Sequence, residues 1–196
     1  MNRRTGLVLA VATVLTTGCF GNLRPAAPAE YDFGPLPAVA TVAVPIRVGI
    51  TAPSWLSGTA MHYRLLHDAP AQRHAYAESR WAAPPAELLR LQLQRRLAGG
   101  GADIPAGCRF RVDLVEFEQV FTAPAASHLR LVARARSGPA VQLGIDIEEA
   151  APTPDARGGV AAAGRAVERL ATRLAQWLAT PAVAAQCNRG GNENGQ

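Results

Sequence analysis

Apolar and polar positions fall into two similar passes of alternating segments, each closed by a segment of helical period. Val42, Val44, Ile46, Val48 and Ile50 alternate with other residues and predict a strand. Pro45 removes a backbone donor there, which fits an edge strand or a bulged one. Met61, Tyr63 and Leu65 alternate with His62 and Arg64, and His74 to Trp81 gives a weaker third strand. Pro84-Pro85 opens a helix with Glu87 in its first turn, Leu89, Leu93 and Leu97 on one face, and Gly99-Gly100-Gly101 as its stop. In the second pass Phe110, Val112 and Leu114 alternate, then the phase moves to Val115, Phe117 and Phe121, predicting a bulge or burial on both faces. Leu129, Leu131, Ala133 and Ala135 point one way and Arg130, Arg134 and Arg136 the other. After a Ser137-Gly138-Pro139 turn, Val141, Leu143, Ile145 and Ile147 face the core, while Asp146 and Glu148 face out, where acids and arginines can pair across a hairpin. Val160, Ala163, Val167, Leu170, Leu174, Trp177 and Leu178 predict a long amphipathic helix. The expected fold is α+β: an antiparallel-rich mixed sheet with two helices packed on one face, in βββα–βββα order.

The first residues carry a different pattern. Arg3 and Arg4 precede an apolar run, Leu7 to Leu15, and the small Gly18 stands directly before Cys19. This is the layout of a bacterial lipoprotein signal, and the run is shorter than the roughly 20 residues a membrane span needs. We therefore expect a cleaved signal peptide over 1–18, with acylated Cys19 as the mature N-terminus. Pro25, Pro28, Pro35 and Pro37 suggest an extended tether over 19–40, followed by a single domain over 41–187 and a disordered Gly/Asn-rich tail over 188–196. A chain working outside the cytoplasm keeps disulfides, so the remaining thiols, Cys108 and Cys187, suggest one bridge, with two unpaired cysteines as the alternative. Phe20, rather than the aspartate that retains enterobacterial lipoproteins at the inner membrane, points by analogy to the outer membrane.

Composition narrows the function. All the basic side chains are arginine, and the formal charge of +5 drops by two when Arg3 and Arg4 leave. Scattered arginines at so modest a charge give no footprint for nucleic acid. His62, His67, His74 and His128 lack metal-ligand spacing, no G-x-S-x-G elbow is present, and the glycine run ends a helix without a phosphate-loop lysine. Glu116 and Glu118 read as the solvated side of a strand. The expectation is a non-enzymatic protein without metal or cofactor. Arg165, Arg169 and Arg173 form a stripe on the last helix, open to two readings: phospholipid headgroups or simple solvation. Leu88 and Leu91 point away from the main apolar stripe, toward another part of the fold or a partner subunit. Trp55 and Leu56, in a loop, serve equally as a membrane or partner tip or as a cap on the core.

Several segments carry a resemblance to a known family. They are Trp55-Leu56-Ser57-Gly58, Met61 to Leu65, Tyr76, the joint Ser79-Arg80-Trp81-Ala82-Ala83-Pro84-Pro85-Ala86-Glu87-Leu88-Leu89, and Phe117 to Phe121. With the lipobox and Tyr31, these resemble the ABC-type transport auxiliary lipoproteins, the PqiC/YmbA-like family. The chain departs from the family's Tyr-Tyr-x-Leu strand, having Tyr31-Asp32-Phe33-Gly34-Pro35 instead. The resemblance implies a palmitate-bearing outer-membrane lipoprotein facing the periplasm. It would act as a non-enzymatic docking part of an MCE-type lipid transport system, ABC-linked or PqiAB-like. Its partners would be an MCE-domain protein with its inner-membrane permease complex, and a homo-oligomeric ring is possible by analogy. In this setting Tyr76, Trp81, Pro84 and Pro85 form a structural joint between strand and helix. Alternatives of other classes are a lipoprotein that assists or plugs an outer-membrane barrel, a soluble-domain lipid carrier, and an unrecognised periplasmic hydrolase.

Overall fold

Alternation with period two builds one seven-stranded mixed sheet, seen in a computed structural model that describes residues 26–35, 46–99 and 108–192. The strands are β1 (Ala29–Tyr31), β2 (Arg47–Thr51), β3 (Ala60–Leu65), β4 (Arg73–Trp81), β5 (Arg109–Ala123), β6 (Ala126–Ser137) and β7 (Val141–Ala150). Helix α1 (Pro85–Gly99) follows β4, and α2 (Ala156–Leu178) and α3 (Pro181–Asn192) follow β7. The order across the sheet is β1-β4-β3-β5-β6-β7, and β2 pairs beside the first half of β5. The long pairings, β5/β6 and β6/β7, are antiparallel; β1/β4, β2/β5 and β3/β5 are parallel. The α+β expectation holds, with three helices rather than two.

Inward positions of the sheet meet the apolar stripes of the helices. Leu131, Leu89, Leu93, Leu170 and Leu174 have no exposed surface, and each such side chain contributes roughly 2 kcal/mol by leaving water. Helix α2 starts at Asp155, whose carboxylate accepts the Gly158 amide at 2.8 Å. Two cysteines close the far end: Cys108, just before β5, is bonded to Cys187 on α3, 79 positions away. At the β6–β7 turn Gly138 has φ +66, and the space a β-carbon would need is taken by Gln186 of α3.

Three expectations change. The supposed tether includes β1 and the buried Phe33, because Tyr31-Asp32-Phe33 forms a strand end and an Asx turn between prolines that hide it. Helix α3 occupies residues expected to lie in the tail, as far as Asn192; Thr180-Pro181 starts it and buried Val183 and Cys187 hold it down. Val115 does not join the inward phase: it is the bulge itself, between Leu114 and Glu116 in the register, and is 50% exposed. The α2 arginines are exposed, as a solvated face requires, and they also reach strand β7, where Arg165 and Arg169 both pair with Glu149 and Arg173 donates to the Asp146 carbonyl at 3.0 Å. Cys19, the signal segment, Val42, Val44, Gly100 and Gly101 lie outside the described residues. No described helix is long and apolar enough to cross a membrane.

Candidate interaction surface

The strand-to-helix joint is built on aromatic packing. Trp81 ends β4, donates its amide to the Thr59 carbonyl at 2.8 Å, and is buried between two rings. Its centroid lies 5.2 Å from Phe33 and 5.7 Å from Phe117. Ala82 donates to the Tyr31 carbonyl at 2.7 Å, so the joint also holds the edge strand. Pro84 accepts from Glu87 and Leu88 as the cap of α1, and Pro85 takes the first helical position, where a missing donor costs nothing. Tyr76 lies one layer away and donates to Gln119 Oε1 at 3.0 Å, while Gln119 donates to Ser127 at 2.8 Å. Burial, reinforced by Tyr63 and Asp155, pushes the Tyr76 phenol well up, so it stays a donor. A β-carbon at Gly159 would sit 2.2 Å from Gln119 Oε1; glycine there lets α2 close over the glutamine.

Beside the joint, Leu88 and Leu91 border a hollow of about 100 Å³ with Asp32, Phe33, Gly34 and Gln92. Leu88 is half-buried against the core, whereas Leu91 is 40% exposed. Gln92 donates to the Gly34 carbonyl at 3.0 Å and fixes the floor of the hollow. Of the pair, Leu91 is the one that presents apolar surface.

The Trp55 loop is a short 3-10 turn, Ser54–Leu56, and its two candidate residues part company. Leu56 is 1% exposed and belongs to the core, so it offers nothing to a partner. Trp55 is half-buried on the side of the sheet away from the helices. The Arg73 guanidinium lies 3.5 Å over its ring, and the His62 ring meets it edge-on at 5.3 Å. Beneath them Glu118 is buried, its two oxygens taken by Arg64 Nε and Arg73 Nε at 2.9 Å each. The expectation that Glu118 sits in solvent was wrong because two adjacent strands supply arginines on its face. Both oxygens are occupied, so this carboxylate ties β5 to β3 and β4. No group of three or more metal-ligating side chains occurs among the described residues.

The sequence reading missed the roles of Phe33, Arg64 and Arg73, and took Glu118 for a solvated acid. Only the alternation of Tyr31 and Phe33 could have flagged the first. The others meet through pairings of β3 with both β4 and β5, which no local pattern encodes.

Comparison with known proteins places this geometry in a family of shapes. A crystal structure of a DUF330 protein from Xanthomonas campestris superposes with a TM-score of 0.59 at 17% identity, covering 85% of this chain and 97% of that one. The chain shares that protein's fold. A crystal structure of an uncharacterized protein is similar at TM-score 0.58 and 13% identity, over 76% of this chain and 97% of the other. No family model and no curated protein matches the sequence.

Proposed function

We propose that the protein is a lipid-anchored, non-enzymatic auxiliary component of an MCE-type transport system, held at the outer membrane and facing the periplasm. The observation that carries this reading is the fold shared with a DUF330 protein over 85% of the chain, since DUF330 is related to the PqiC/YmbA-like lipoproteins. The lipobox at Cys19 and the Trp81-to-Leu89 joint support it independently. Docking is favoured over lipid carriage because the described space between sheet and helices is filled by side chains with no exposed surface, such as Leu89, Leu131 and Leu170. An MCE-domain protein would then meet the surface at Leu91 and the edge strand β1.

The test is affinity purification of the full-length protein from detergent-extracted membranes, with mass spectrometry of what accompanies it. An MCE-domain protein with its permease is the expected companion, abolished by changes at Leu88 and Leu91 that leave the fold intact. Recovery of an outer-membrane barrel instead would move the assignment to barrel assembly. Metabolic labelling with palmitate should mark the protein, and Cys19→Ser should remove the label.

A further inference from the structure

The sheet side away from the helices gathers arginines that the sequence scatters. Arg47 on β2 lies directly opposite Arg109 on β5, and Arg111 lies directly opposite Arg136 on β6. Arg109 and Arg111 share a strand face, so four guanidinium side chains arise within two strand spacings, about 10 Å. Arg134 lies two residues from Arg136 on the same face, and all five arginines are exposed. Among the described residues one carboxylate answers them: Asp113, which accepts from Thr51 at 2.6 Å and pairs with Arg136 at 2.5 Å. Strand β7 offers only Gln142 and Gly144 opposite Arg136 and Arg134. Like charges facing each other across a sheet oppose folding. An anion seated between them removes that repulsion.

The space for it is present. Arg47, Arg109, Arg111 and Arg136 line a solvent-open groove of about 450 Å³ together with Phe110, with the side-chain-free Gly49 in its floor and the β6–β7 turn at Gly138, against Gln186, at its end. Guanidinium forks match phosphate oxygens in pairs, and several forks around one groove favour a phosphate group over an isolated carboxylate. We infer that this groove binds the phosphate of an anionic phospholipid headgroup. The choice of a lipid source rests on the membrane-anchored reading above, because an acylated chain faces headgroups at high effective concentration. The cluster sits on the charged face of the sheet, away from the hollow at Leu91, so the two surfaces can be occupied together.

The experiment titrates full-length protein in neutral detergent with water-soluble dihexanoyl phosphatidylglycerol, dihexanoyl phosphatidylcholine and inorganic phosphate, by calorimetry. The phosphatidylglycerol is expected to bind at least tenfold tighter than either of the others, and more weakly as salt rises. Arg47→Gln/Arg109→Gln/Arg111→Gln should weaken it by twentyfold or more, each arginine near a lipid phosphate being worth about fivefold. Arg95→Gln, on the outer side of α1, should leave it unchanged. Equal binding of the two lipids, or an unaltered triple variant, overturns the proposal; inorganic phosphate binding as tightly as the lipid overturns the lipid source. If the triple variant does not fold, Arg47→Gln alone decides, with a fivefold loss expected. Because the probe is soluble, a Cys19 that takes no palmitate would refute the anchor without touching this result.

Discussion

Phe33 provides the sharpest test of the architecture, because it lies where the proline pattern argues for a tether and the fold instead places a core side chain. It is 6% exposed and its ring sits 5.2 Å from Trp81 and 5.5 Å from Phe117, both edge-on. Truncating a buried phenylalanine costs about 3–5 kcal/mol. The lower end applies, since β1 has only three residues in register and can detach from β4 rather than leave a full cavity behind. Phe33→Ala should therefore lower the unfolding free energy by about 3 kcal/mol, and Phe33→Leu by about 1. Urea denaturation followed by tryptophan fluorescence reads this directly, because Trp81 is the neighbouring ring, and the midpoint should fall with little change in slope. A loss below about 1 kcal/mol would mean that residues 29–34 do not belong to the folded unit and that the joint at Trp81 is closed by something else.

The remaining predictions concern the charged face, the covalent tie and the acid limb. Glu118→Ala should cost about 2 kcal/mol in the same urea assay, less than a fully buried ion pair, because Arg64 and Arg73 can turn to water; a loss under 0.5 kcal/mol would deny the tie any structural role. Reducing the Cys108–Cys187 bridge should remove about 4 kcal/mol by freeing a 79-position loop in the unfolded chain, and an unchanged midpoint under reductant would contradict it. Asp113 and Asp155 are held below the ordinary 3.8, Asp113 first by the Thr51 hydroxyl and then by Arg136, Asp155 first by the Gly158 amide and then by Thr153. Depressed carboxylates stabilise the fold above about pH 4 and lose that contribution as pH falls further, so Asp155→Ala should flatten the stability curve below pH 4. Leu88→Ser/Leu91→Ser should lower any oligomer mass seen by light scattering while circular dichroism stays unchanged.

What was legible in the sequence is what local periodicity carries. Leu129 to Ala135 and Val141 to Ile147 alternate cleanly, and both are strands facing the helices with the expected residues. Helix α1 begins at the Pro84-Pro85 signal and α2 buries the expected stripe. Errors arose where a short-range cue was weak or a long-range pairing decided the outcome. A three-residue strand such as β1 has too few positions to show a period, and its flanking prolines dominated the reading. Helix α3 hid because its alanines carry little periodic contrast, although Thr180-Pro181 is a start signal. Glu118 looks like any exposed strand acid until β3 and β4 deliver Arg64 and Arg73 beside it. The Arg165 stripe has the spacing of a solvated face, and only the packing of α2 on β7 gives it Glu149 as a partner.

The same distinction separates structural charge from available charge. Around Glu118 and Glu149 each buried carboxylate meets two arginines, and helix–sheet and strand–strand contacts consume those charges. At the opposite end of the charged face, Arg47, Arg109 and Arg111 form no ion pair among the described residues, although they stand beside one another. Buried pairs are costly to desolvate and are tolerated only when their oxygens and protons are matched, as they are here. Exposed like charges carry the reverse balance: hydration is kept, but mutual repulsion works against the fold. Among the described residues the domain matches its buried charges closely, whereas the arginines of this cluster stand side by side with Asp113 as their one acidic neighbour, and that imbalance is what the proposed anion would relieve. The joint at Trp81, the hollow at Leu91 and the arginine groove thus divide the work: the first holds the domain together, the second offers apolar contact, and the third offers charge.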